Sequence, residues 1–118
     1  MSTIRVDNFG PSAGGTTYSA RGIAKAWVNL NGTGTIAARE TLNVSSLTDN
    51  GTGDYYVSFT AAFENANFVG SGSFAWSNNG NQIIVSFVSA SQGRAATLEG
   101  NAYVDRSLVM AAYHGDLA

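Results

Sequence analysis

Between Asp54 and Ala61 the chain alternates without a break: Tyr55, Val57, Phe59 and Ala61 fall on one side, Tyr56, Ser58 and Thr60 on the other. A period of two sends successive side chains to opposite faces of an extended strand, one suited to a core and the other to water. The pattern recurs in Gly22–Leu30, where Ala24, Ala26, Val28 and Leu30 oppose Lys25, Trp27 and Asn29, and in Thr41–Leu47, where Leu42 and Val44 oppose Asn43 and Ser45. Phe68–Trp76 places Phe68, Gly70, Gly72, Phe74 and Trp76 on one side, and its two glycines predict a bulge or bend. After the hairpin signal Asn78-Asn79-Gly80-Asn81, Gln82–Val88 is apolar on both faces and reads as a central strand covered on both sides. Asn101–Tyr113 reads as the last strand, apolar enough over Leu108–Tyr113 to be buried or to face another subunit. Only Ile36–Leu42 competes as a helix, and it is too short to stand as one.

Fourteen glycines against one proline punctuate these runs as tight turns punctuate short strands. The predicted fold is an all-β antiparallel β-sandwich of seven or eight strands, jelly-roll or immunoglobulin-like. The stretch NFGPSAGGTTY, Asn8–Tyr18, holds the proline and three glycines and reads as a link behind a short leading strand, Thr3–Asp7. Residues 1–18 are thus expected to form a docking or oligomer arm, and residues 19–118 the sandwich. With 118 residues and no cysteine, one core is possible without covalent staples, so stability rests on packing or assembly.

The six cations are scattered singly and the net charge is −2, which argues against nucleic acid as a partner. No apolar run reaches the 18 or so residues of a membrane helix, and MSTIRVDNFG lacks the apolar stretch of a signal peptide, so membrane insertion is not expected and the chain reads as an unprocessed soluble product. The single histidine, His114, stands beside Asp116 near the chain's end with no G-x-S-x-G elbow to supply a nucleophile, and reads as a surface tail residue. Nothing pairs any two of the eight acids in a cleft, and no phosphate or dinucleotide fingerprint occurs. No enzyme, catalytic residue or cofactor is expected.

The letters NGTG occur twice, at Asn31–Gly34 and Asn50–Gly53, each between two predicted strands. Asn-Gly accepts positive φ at both central positions of a two-residue hairpin, which explains the pair without a ligand. Asn31, Asn43 and Asn50 match the glycosylation pattern, yet no secretory signal accompanies them. Asp49, Asn50, Thr52 and Asp54 offer oxygens, but the spacing of a calcium loop is missing, so no metal is expected. If the two turns share one end of the sandwich, Thr33, Thr52 and Asp54 are the side chains that form a contact tip. Among the amphipathic aromatics Tyr18, Trp27, Tyr55, Tyr56, Trp76, Tyr103 and Tyr113, Trp27 and Tyr56 fall on the more polar strand faces and are the candidates for exposed or intersubunit contact. Ile4, Val6 and Phe9 of the leading segment, with Leu108, Met110 and Tyr113, are the candidates for docking.

The stretch GIAKAWVNLNGTGTIAARETLNVSSLTDNGTGDYYVSF, Gly22–Phe59, resembles a module recurring in tail-fibre and related structural proteins of tailed bacteriophages, marine and cyanobacterial ones included. Ala24–Asn31, Gly32–Thr35, Asn43–Asp49 and Asn50–Tyr55 match its wording, AKAWVNFNGTGT followed by LNVSSLTDNGTGDY, almost letter for letter. The resemblance implies a β-rich virion protein, a homotrimer in fibres, made in the host cytoplasm. Its implied partners are its own copies, other virion proteins, and a glycan or protein of the host surface. In the family the module ends a longer fibre, whereas here it accounts for the whole sequence. That difference raises an alternative, a capsid decoration or cement protein binding capsomers. A lectin-like carbohydrate-binding domain built around Tyr56 is the third reading.

Overall fold

The structure, a computed structural model, describes residues 2–74 and 80–118. Trp76 and the Asn78-Asn79 half of the expected hairpin lie outside them. The described chain forms an antiparallel β-sandwich, as the alternation predicts. Its strands are β1 (Asn8–Phe9), β2 (Tyr18–Ser19), β3 (Ala24–Asn31), β4 (Ala37–Leu42), β5 (Val44–Asp49), β6 (Asp54–Phe59), β7 (Val69–Phe74), β8 (Asn81–Ser89), β9 (Gln92–Glu99), β10 (Ala102–Tyr103) and β11 (Val109–His114). One sheet has the order β4-β3-β11-β7. The other runs β5-β6-β9, with β8 and the short β10 also paired to β9. A single 3-10 turn over Ala20–Gly22 joins β2 to β3.

The alternation in β3 and β6 decides what they bury. Ala26, Val28 and Leu30 from β3, Tyr55, Val57 and Phe59 from β6, and Val109, Ala111 and Tyr113 from β11 all face one core. At the end of the core where β6 and β11 finish, Phe59 meets Phe63, Phe68 and Tyr113 edge to face at ring separations of 5.1, 5.6 and 5.2 Å. Such geometry sets the positive edge of one ring against the negative face of the next.

Five local expectations are corrected. Thr3–Asp7 forms no strand; the leading pair is instead β1 with β2, two residues each, Phe9 opposite Tyr18. Thr41–Leu47 is two strands in different sheets, broken at Asn43, whose φ of 56° turns the chain from β4 into β5. Gly70 and Gly72 make no bulge, since β7 stays in unbroken register with β11. They are needed because β7 passes so close to β8 that a Cβ at Gly70 would collide with Val85. β8 is an edge strand, bonded to β9 alone, with Phe87 and Val88 exposed. Asn101–Tyr113, read as one last strand, is two, β10 and β11, separated by residues 104–108; β11 runs down the middle of its sheet, between β3 and β7, with Val109, Ala111 and Tyr113 buried. Ile36–Leu42 supplies β4, not a helix.

The central strand of the larger sheet is β9, QGRAATLE, which carries no apolar run in the sequence. Its Gly93 lies against the Tyr113 ring, where a Cβ would sit 2.6 Å from two ring carbons, and Ala95, Ala96 and Thr97 are buried. Small residues are what let β9 sit under the aromatic cluster.

Candidate functional site

The two NGTG turns come together at one end of the sandwich. β3 runs up to Asn31 and β5 up to Asp49 at that end, and the segment Val104–Arg106 crosses between the turns they lead into. Gly32 N–H donates to the Arg106 carbonyl at 2.8 Å, and Gly53 N–H donates to the Asp105 carboxylate at 2.7 Å. The Tyr55 hydroxyl lies between them, 2.9 Å from Asp105 Oδ1 and 3.3 Å from the Gly32 carbonyl. Burial pushes the Tyr55 hydroxyl up to about 12, helped by its hydrogen bond to Asp105 and the charge there.

Neither turn is a two-residue hairpin. Asn31 and Asn50 both keep negative φ, and the left-handed positions are Gly34 in the first turn and Gly51 and Gly53 in the second. The loops are correspondingly longer, spanning residues 32–36 and 50–53. Asn31 instead accepts from the Thr33 amide and hydroxyl at 3.0 and 2.6 Å, a side-chain turn that fixes the loop.

Thr33 and Thr52 are exposed on this tip. Asp54 sits below it with both carboxylate oxygens engaged: Oδ1 by Arg94 Nε at 2.7 Å and Oδ2 by Asn50 Nδ2 at 2.9 Å. Burial raises the Asp54 carboxyl, but hydrogen bonds from Arg94 and Asn50 and the charge of Arg94 outweigh it, holding the group below its ordinary value. Its hydrogen bond to Asp54 raises Arg94 in turn. The Arg94 guanidinium also reaches the Tyr103 hydroxyl at 3.1 Å, with its carbon 5.9 Å from the Tyr103 ring centre. Asp54 is therefore part of the tip's framework, and no group of three or more metal-ligating side chains occurs among the described residues.

The two aromatic candidates lie on opposite outer faces. Tyr56 stands on the larger sheet, in register with Thr48 and Arg94. Trp27 stands on the smaller sheet, half-buried, at the side of a shallow groove of about 490 Å³ whose other residues include Met110, Ala112, Ser71 and Ser73. They form no common site with each other or with the threonines.

The docking candidates do not share one place, and the leading segment lies at the end opposite the tip. Ile4, Val6 and Phe9 project from the leading segment at 86%, 54% and 47% exposure, beside Tyr18 at 60%. Leu108 and Met110 are half-buried, and Tyr113 is wholly inside the core, its hydroxyl on the Arg94 carbonyl at 3.1 Å. The leading segment is anchored at its root: Ala20 N–H donates to the Asp7 carbonyl, and Lys25 Nζ donates to the Ala20, Ile23 and Gly115 carbonyls. His114 belongs to β11, not to a tail, and contacts the Gly22 carbonyl through Nδ1 at 3.0 Å; Asp116 pairs with Arg21 at 2.9 Å.

Asp105 and Arg94, which with the aromatic Tyr103 tie the tip together, carry no signal in the sequence. Asp105 acts across 50 and 52 positions of sequence, and no local spacing carries that signal. Comparison of the chain with known families, with curated proteins and with solved structures finds no match.

Proposed function

We propose that the protein is a bacteriophage virion structural protein, tail-fibre-like and oligomeric, that docks through the segment 2–9 and turns its loop end toward the host surface. The observation that carries this reading is the exposure of Ile4, Val6 and Phe9 on a segment standing off the sandwich. Each such side chain gains about 1.5–3 kcal/mol when buried, so a chain that leaves three of them in water gains by placing them on a partner.

Shape supports the tail-fibre arrangement. The molecule measures 49 × 29 × 27 Å with a radius of gyration of 16.0 Å, against about 13–14 Å for a compact domain of this length. Its anchored arm and the tip formed by the two NGTG turns and Val104–Arg106 lie at opposite ends, so one end attaches while the other stays free. The near-verbatim likeness of Ala24–Thr35 and Asn43–Tyr55 to the tail-fibre module points the same way.

The test is incorporation. Deleting residues 2–15 is expected to lower the assembled mass in light scattering and to exclude the protein from particles; unchanged mass together with unchanged incorporation sinks the proposal. In a reconstruction of the particle, density at the tail supports the reading. Density only over the capsid lattice replaces it with the decoration protein.

A further inference from the structure

Sheets leave edges, and an edge strand with free N–H and C=O groups invites another strand unless charge, proline or a bulge blocks it. Among the described residues four long strands form such edges. β4 carries Arg39 and Glu40 and has a register break against β3. β5 ends in Asp49 and breaks register after Val44. β8 breaks register at Phe87–Ser89. β7, VGSGSF, has no charge, no proline and no break through six successive pairs. It is also open to solvent, with Val69 at 64% exposure and Gly70–Ser73 all exposed.

The chain itself holds a segment suited to that edge. Thr3–Asp7 alternates Ile4 and Val6 against Arg5 and Asp7, the pattern of a one-faced strand, yet residues 3–6 join no sheet among the described residues, and Asp7 is held only at its root, by the Ala20 amide on its carbonyl. Five extended residues span about 17 Å and the six of β7 about 20 Å, so the lengths match. Ser71 and Ser73 share the outer face of the sheet with Met110, and their short side chains leave space there for branched neighbours.

The geometry points to strand exchange: residues 3–7 of one copy add as a further strand to the free edge of β7 in a second copy, with Ile4 and Val6 covering Ser71, Ser73 and Met110. This rests on the reading that segment 2–9 is a docking arm and names where it docks. The acceptor is a second copy because the arm of the same chain is rooted through Asp7 and Ala20 and leaves Ile4 86% exposed.

The chain lacks cysteine, so introduced thiols are the only ones present. Val6→Cys protein mixed with Ser71→Cys protein under mild oxidation is expected to give a disulfide-linked heterodimer. A link that forms only within the Val6→Cys/Ser71→Cys double variant, never on mixing, overturns the exchange. Independently, Ser71→Lys/Ser73→Lys guards the edge with charge while leaving the core alone, and is expected to weaken self-association about tenfold or more at unchanged Tm. If that variant associates normally while deletion of residues 2–7 abolishes association, the arm docks elsewhere: the exchange falls and the docking-arm reading stands. If neither change matters, both fall.

Discussion

The Tyr55 hydroxyl donates to Asp105 at 2.9 Å and thereby holds two turns offset by nineteen positions in one unit. The same carboxylate takes the Gly53 amide, so removing it strands that donor and leaves the Tyr55 hydroxyl only its longer contact with the Gly32 carbonyl, whereas removing the Tyr55 hydroxyl strands no donor. Tyr55→Phe is expected to cost about 1 kcal/mol and Asp105→Ala about 2–3 kcal/mol. In urea unfolding the double variant should lose less than the sum, since both changes delete one shared contact. Strict additivity would mean that the contact contributes nothing in solution.

Stability should also fall in alkali. Tyr55 has its folded pKa raised to about 12 from 10, so its contribution is complete below pH 10 and is lost as pH rises toward 12. Tyr113 is raised too, by burial alone, and adds to the loss from about pH 10 upward. The Tyr55→Phe variant, weaker at neutral pH, should show a shallower decline of its urea midpoint between pH 10 and 12. Asp54 behaves oppositely: its lowered pKa gives a contribution present above about pH 4 and lost as pH falls further, and Asp54→Asn should flatten the acid limb.

Identical letters play different parts in the two turns. A Cβ on Gly32 would collide with the Tyr55 hydroxyl, while Gly34 has open space around it and only a φ of +62° to satisfy. Gly32→Ala is expected to cost about 2–3 kcal/mol by overpacking, and Gly34→Ala about 1 kcal/mol by backbone strain. In the second turn the tight position is the last one, Gly53, where φ is +64° and a Cβ would sit 2.6 Å from the Thr97 carbonyl. Gly53→Ala should therefore be the most damaging of the three by thermal melting.

At the corner between the sheets, Asn43 combines a left-handed backbone with two side-chain bonds to Ala61, its Nδ2 on the carbonyl at 2.9 Å and its Oδ1 on the amide at 2.7 Å. Asn43→Gly keeps the backbone and loses the bonds, at about 1–2 kcal/mol; Asn43→Ala loses both and should cost about 1 kcal/mol more. Equal Tm values for the two variants would show that the φ carries no strain.

The strands legible in the sequence were those with one face on the core. In β3 and β6 large apolar residues at every second position are buried and the residues between them are not. β9 carries no such signal because its buried positions are Gly93, Ala95, Ala96 and Thr97, small where the Tyr113 ring presses close. The corner at Asn43 was hidden since the alternation of Leu42, Asn43 and Val44 keeps its parity through the turn. β8 looked central because Ile84, Phe87 and Val88 are apolar, although all three are exposed. The loops of the tip were readable as turns, but their convergence was not: it depends on Asp105, which reaches them only after β9 and β10 have brought the chain back.

The floor of the tip and its roof are therefore under different constraints. Gly32, Tyr55, Gly53 and Asp105 lock the floor, while Thr33 and Thr52 stand exposed and Gly34 has nothing within 4 Å of a Cβ position. A peptide spliced between Gly34 and Thr35 would lengthen the roof and leave every floor contact in place, and added loop length raises the closure entropy only slowly. The chain is in that sense a display scaffold: its outermost surface can diversify under selection without renegotiating the fold beneath it.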